Sequence, residues 1–278
     1  MAEHPLWFTI IVNRLFGSAA KALLAALHVR PASSEYPIPN FFAMEILVFL
    51  TAIVFFCWLR RRISPDRPGA TQQCMEMLLR NPLGLGVRDM LDDFVGHGGD
   101  RHLSMLGSIG IFVLFCNLIS VIPTLESPTG TNSVPLGCAI VVFLYYHISG
   151  IRRHGVGSYL AHFTGPEVPL PIPFNWIVTA IIVAIEAVSH VARLLSLTVR
   201  LWVNMFVSEL LYTTFLGLTL ALVIFAGHAN PAWYSLGFLP LLGPILFILL
   251  HIFVGFVQAF VFTILPIIYV GGAVAEEH

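Results

Sequence analysis

Charge is what this chain has least of. Asp, Glu, Lys and Arg make up 10% of its 278 residues, where an ordinary soluble domain carries about a quarter. Lysine is almost missing, with Lys21 standing alone among 14 basic residues. The formal net charge of -1 leaves no basic footprint for nucleic acid and no pull toward acidic partners. Paired cysteines are lacking too. Cys57, Cys74, Cys116 and Cys138 stand singly with no C-x-x-C pair, and three lie in apolar runs. They read as small hydrophobes, not as disulfides or metal ligands. The 11 histidines form no H-E-x-x-H or other close metal pair, so neither metal nor cofactor is expected. The opening MAEH has no basic residue before Arg14, which fits neither a secretory signal nor an Arg-rich transit peptide. What is plentiful is apolar side chain, at 57% with a mean hydropathy of +0.86. The expectation is an all-α integral membrane protein with little mass outside the bilayer.

Residues 5–28 are moderately apolar but carry Asn13, Arg14 and Lys21, which predicts a helix lying on the membrane surface. PASSEYPIPN at 31–40 is a proline-broken linker. A span is expected from Phe41 to Leu59, stopped by Arg60-Arg61-Arg62. The polar stretch 62–102 predicts amphipathic pieces interrupted at Asn81-Pro82 and the glycines. A second span is expected over 103–122, ending in the loop PTLESPTGTNS, and a third from Val134 to Ile151, followed by Arg152-Arg153-His154. From Asn175 to Phe225 the chain stays apolar without a proline. At about 1.5 Å per residue those roughly 50 residues extend some 75 Å, over twice the hydrocarbon thickness. Such a helix must be strongly tilted, bent or split. The GHANPAW turn at 227–233 leads into a last apolar stretch ending at Glu276-Glu277-His278. Seven arginines, Arg60 through Arg101, lie between the first two spans. The positive-inside rule makes the arginine-bearing loops cytoplasmic, with the N-terminus outside and the C-terminus inside. Arg14, Lys21 and Arg30 run against that rule.

Within EAVSHVARLLSLTVRLWVNMFVSE, residues 186–209, sits an arginine, Arg200. A guanidinium stays charged at any physiological pH. Near a bilayer centre it costs about 2.5–3.5 kcal/mol on insertion scales, so it persists only facing protein or water. Glu186, Ser189, Arg193, Ser196, Arg200, Asn204 and Ser208 follow one another at steps of three or four, which draws a polar stripe up one helix face. Glu209 points away from it. A stripe of this kind marks an ion pathway by default. In the last helix His251 and Gln258 are seven residues apart with Gly255 between them on the same side, and a glycine there permits close helix approach. Histidine titrates near neutrality and relays protons. The orientation puts Glu186 and Arg193 nearer the cytoplasm and Glu209 and His251 nearer the outside, with one fixed positive charge between.

The stretch LSLTVRLWVNMFVSEL, the His251-to-Gln258 spacing, QAFVFTIL and the ending EEH together resemble subunit a of the F-type ATP synthase membrane sector. Glu186, Ser189 and Arg193 also fall where many bacterial members carry such residues, and Asn117 before a Pro-containing loop is similar to the family's second span. Val203 and Ser208 replace glycines common in the family, and Ser120 stands where many bacterial members have an aspartate. The resemblance implies five to six membrane helices, with 1–40 as a surface segment outside, 41–171 as peripheral spans and 172–278 as a tilted helical hairpin. It implies a non-catalytic stator facing a ring of c subunits and joined to a b-subunit peripheral stalk and the remaining ATP synthase subunits, in the bacterial plasma membrane. Protons would enter by an outer half-channel lined by Glu209, His251, Asn204 and Gln258, and leave by an inner one near Glu186, Ser189 and Arg193. Two other readings compete. One is a secondary transporter holding an anionic substrate at Arg200, although no internal repeat supports it. The other is a membrane haem or metal enzyme drawing on His190 and His251.

Overall fold

The computed structural model describes residues 5–29, 33, 35–64, 68–81, 84–96, 98–122, 124–162, 172–229 and 238–274. Nine α-helices occur among them: α1 Trp7–Ala26, α2 Asn40–Arg62, α3 Ala70–Leu79, α4 Val87–Phe94, α5 Asp100–Leu118, α6 Ser133–His154, α7 Val156–His162, α8 Ile172–Ala229 and α9 Phe238–Val274. Two single turns of tighter helix, Ile119–Val121 and Pro128–Gly130, close the segment between α5 and α6. Six helices are long and apolar enough to cross a bilayer. The chain is a multi-pass, all-α membrane protein.

The expected spans and the breaks between them agree with these bounds. The polar stretch after α2 folds into the short α3 and α4, as its amphipathic pattern predicts. Two features differ from expectation or sharpen it. The surface-helix candidate α1 itself meets the length and apolarity needed to cross, because Arg14 and Lys21 are too few to lower its hydropathy far. The 172–229 stretch is not split: α8 is one helix of 58 residues, about 87 Å long at 1.5 Å per residue. No proline follows Pro173 in it, so nothing removes a backbone donor from its interior. Residues 230–233 of the GHANPAW turn, Arg30, Pro31, Ala32 and Ser34 of the linker, Arg67, Pro82, and Glu276 to His278 lie outside the described residues.

The chain divides into two compact units, Met1–Ile63 with Ile111–Thr131 and Trp202–Ala259, and Ser64–Gly110 with Asn132–Leu201 and Phe260–His278. In the first, Val12, Ile38 and Ala43 form a buried nucleus with Phe8, Ala20 and Ile46 packed on it. Asn13 locks α1 to the start of α2: its Nδ2 donates to the Ile38 carbonyl at 2.9 Å and its Oδ1 accepts from the Ile38 N–H at 3.0 Å. Farther along, Phe55 meets Phe115 edge-on and Phe215 stacks on Phe247 at 4.0 Å. In the second unit Leu91, Leu106, Tyr146, Phe262 and Ile267 are fully buried. Gly110 on α5 lies so close to Thr263 on α9 that a Cβ there would overlap the threonine side chain.

Candidate functional site

In the first unit the polar residues of α8 and α9 meet in antiparallel register. Asn204 Nδ2 donates to Gln258 Oε1 at 2.8 Å, and one turn farther along α8 Ser208 Oγ stands 2.9 Å from His251 Nδ1. The other ring nitrogen, Nε2, is 2.9 Å from Ser120 Oγ. His251 is 2% exposed, so each nitrogen needs its partner. A neutral imidazole is a donor at one nitrogen and an acceptor at the other; one serine therefore donates and the other accepts. Ser120 and Ser208 thus both clasp the same ring.

A second network of the same unit reaches Glu209. The segment between α5 and α6 folds back so that Ser127 Oγ donates to the Cys116 carbonyl at 2.8 Å and Thr129 Oγ1 to Asn117 Oδ1 at 2.7 Å. That places the Ser127 N–H 3.4 Å from Glu209 Oε1. Trp202 Nε1 donates to the Gly130 carbonyl at 3.1 Å. Asn117 Nδ2 donates to the Gly255 carbonyl at 3.1 Å. A Cβ on Gly255 would stand 3.3 Å from Asn117 Cβ, so the glycine does allow the close approach expected of it. Gln258 is also buried, and its Nε2 has no hydrogen-bond partner among the described residues. Glu209 and His251 share no hydrogen bond among the described residues.

In the second unit Glu186 and Arg193 do meet, loosely. Arg193 Nη2 is 4.0 Å from Glu186 Oε1, with side chains 40% and 38% exposed, a pair worth little in water. Glu186 Oε1 is nearer to His190 Nε2, at 3.3 Å. The Arg193 guanidinium lies over the Tyr269 ring, 5.5 Å from its centroid. Ser189 is half-buried beside them. Sequence reasoning missed what surrounds His190: Tyr146 Oη is 2.7 Å from its Nδ1, and His147 Nδ1 is 2.7 Å from Tyr159 Oη. The signal was YYH at 145–147, three groups with polar tips inside an apolar span. Burial pushes the Tyr159 phenol, on the short α7 outside the spans, above its ordinary range, so it stays protonated.

Arg200 is the midpoint of α8 and is exposed. The packed face of that helix is set by Leu197 and Leu201 in the second unit and by Met205, Ser208 and Tyr212 in the first. Arg200 lies one helical step off that line. Among the described residues its hydrogen bond is Nη2 to Ser196 Oγ at 3.4 Å, on its own helix. No carboxylate stands within ion-pair distance of it among the described residues.

A sequence model of the family described as ATP synthase A chain matches residues 42–271. The protein named ATP synthase subunit a from Koribacter versatilis is 36% identical over 275 residues, 99% of each chain. Its counterpart in Solibacter usitatus is 40% identical over 266 residues, 96% of this chain and 99% of that one. The one from Aquifex aeolicus is 37% identical over 235 residues, 84% of this chain and 96% of the relative. A family match over most of the spans, and relatives that align end to end, mean that the polar helices described above sit in a chain that belongs to the ATP synthase subunit a family.

Proposed function

We propose that this chain is the proton-channel stator of a rotary ATP synthase, carrying two half-channels on either side of Arg200. The observation that carries the reading is the arginine itself: a permanent cation at the middle of a membrane helix, exposed, with a lone serine for company. Such a charge needs a partner from another chain. A ring of c subunits presenting a carboxyl group supplies one. A carboxyl travelling through lipid must be protonated, and beside a fixed guanidinium it ionises.

Along α8, Glu209 lies nine residues to one side of Arg200 and Arg193 seven to the other, about 13 and 10 Å. Glu209, His251, Asn204 and Gln258 line the outer half-channel; Glu186, Ser189 and Arg193 line the inner one. Gln258 Nε2, without a partner among the described residues, suits a water-lined path. No ATP chemistry falls to this chain. Its other contacts are the b-subunit peripheral stalk, the remaining subunits and lipid. Residues 1–40 form the surface segment outside, 41–171 the peripheral spans and 172–278 the tilted hairpin against the ring. The setting is a bacterial inner membrane, with the N-terminus outside and the C-terminus in the cytoplasm, as the arginine-bearing loops favour.

The test is Arg200→Ala in inverted vesicles. ATP-driven proton pumping is abolished while ATP hydrolysis by the soluble part persists. Arg200→Lys also fails, because a desolvated lysine can lose its proton and lacks the planar fork. Near-normal pumping in Arg200→Ala refutes the assignment.

A further inference from the structure

The imidazole and phenol groups around His190 have no place in the half-channels just described, yet they are arranged in a line. His190, 12% exposed at its side chain, is held at both nitrogens: Nε2 by Glu186 at 3.3 Å and Nδ1 by the Tyr146 hydroxyl at 2.7 Å. The His147 ring packs against both, its centroid 4.3 Å from that of Tyr146 and 4.9 Å from that of His190. His147 then meets the Tyr159 hydroxyl at 2.7 Å through Nδ1.

The backbone is shaped for that last link. Gly155, at φ +81°, ends α6 in a conformation that suits glycine and turns the chain back as α7. Tyr159 thereby folds over α6 and lies against Gly150, where a Cβ would collide with its ring. Gly157 and Ser158 beside it are exposed. The other charged or titratable groups facing the line are Arg193 from α8 and Tyr269 from α9, stacked on each other.

We infer that Glu186, His190, Tyr146, His147 and Tyr159 form a proton relay that carries ions from the inner half-channel to the α7 edge of the second unit. The inference rests on the proton-channel reading and extends its inner half-channel by four residues. A proton on Glu186 passes to His190 Nε2; the imidazolium releases its Nδ1 proton to Tyr146 Oη. Tyr146 hands its own hydroxyl proton to a water drawn from the half-channel, and that water gives one to His147 Nε2. His147 Nδ1 then releases to Tyr159 Oη, whose proton leaves to solvent. Each bond formed matches one broken, and every group regains its proton count after reprotonation and reorientation. Arg152, Arg153 and His154 immediately precede α7, which makes this edge cytoplasmic by the positive-inside rule.

The experiment uses the assembled enzyme in inverted vesicles, with passive proton conduction measured after the soluble part is stripped off. His190→Gln and Tyr159→Phe each lower conduction about tenfold. This is less than the 10²–10⁴ of a group acting directly on the reaction, because water can bypass a missing link. The dependence on cytoplasmic pH flattens in His190→Gln, and added imidazole restores its rate. Tyr159→Phe keeps the ring over Gly150, so it remains informative if His190→Gln fails to assemble. Wild-type conduction with an unchanged pH profile overturns the relay, as does a loss that only follows reduced assembly and ignores imidazole. If Arg200→Ala abolishes pumping while the relay variants conduct normally, only the relay falls; if Arg200→Ala pumps, the parent reading falls with it.

Discussion

Asn117 offers a mutation series whose order can be worked out in advance. Its side chain is fully buried and used at both ends, Nδ2 on the Gly255 carbonyl at 3.1 Å and Oδ1 under the Thr129 hydroxyl at 2.7 Å. Asn117→Ala deletes both bonds, at about 1 kcal/mol each, and leaves an amide-sized void; the sum is roughly 3 kcal/mol. Asn117→Asp keeps the shape and the acceptor for Thr129 but aims a carboxylate oxygen at the Gly255 carbonyl oxygen. An uncompensated buried charge costs about 3–5 kcal/mol, so at alkaline pH the aspartate variant is the less stable of the two despite being nearly isosteric. The assay is the apparent melting temperature of the detergent-purified complex, together with the amount of chain retained in membranes. The expected order is wild type, then alanine, then aspartate. An aspartate variant as stable as the wild type would mean that the amide does not bridge α5 and α9, and the account of the first unit would fail with it.

Two further outcomes follow from contacts of the same kind. Glu209→Gln retains an oxygen for the Ser127 N–H but cannot carry a proton; assembly is unchanged and ATP-driven pumping drops about 10²-fold, read as quenching of a pH-sensitive dye in inverted vesicles. Wild-type quenching would remove Glu209 from the path. Gly110→Leu drives a side chain into Thr263 and destabilises the complex by about 1–3 kcal/mol or more. Gly107→Leu, where a Cβ meets nothing within 4 Å, stays within about 0.5 kcal/mol. Equal melting temperatures for the two leucine variants would refute the close approach of α5 and α9 in the second unit.

The spans were legible because hydropathy and the arginine runs mark them directly: α2 ends at Arg60-Arg61-Arg62 and α6 at Arg152-Arg153-His154. The stripe on α8 was legible because helical periodicity is a property of one element. Partners supplied by a distant loop were not. Ser127 is 82 residues from Glu209 and Gly130 is 72 from Trp202, and no period links a loop to a helix; only the fold brings residues 127–130 back beside the end of α5. That Ser208 and Ser120 both bind His251 is not legible in the sequence either, since it requires α8, α9 and the turn after α5 to be placed at once. The continuity of α8 was likewise undecided. A run over twice the membrane thickness fits a tilted, bent or split helix equally well until the backbone hydrogen bonds are followed through it.

Those two serines bear on how such a chain divides its labour. Hydroxyl groups at 120 and 208 fix both nitrogens of His251 without adding a charge, and the Asn204–Gln258 pair is neutral as well. These buried groups of the first unit are held by neutral hydrogen bonds, which avoids the desolvation penalty of buried ions. Arg200 is treated in the opposite way. An exposed guanidinium amid an apolar face costs about 2.5–3.5 kcal/mol in lipid, and Ser196 at 3.4 Å offsets little of that. A structural arginine would have been given a carboxylate from its own chain, as Arg88 is given Asp100 at 3.0 Å. Arg200, without one among the described residues, is available to a carboxylate that arrives from outside and departs again, which in the proposed role is what a turning ring requires. A permanent partner of comparable strength within this chain would compete with every arriving carboxylate and hold the ring still.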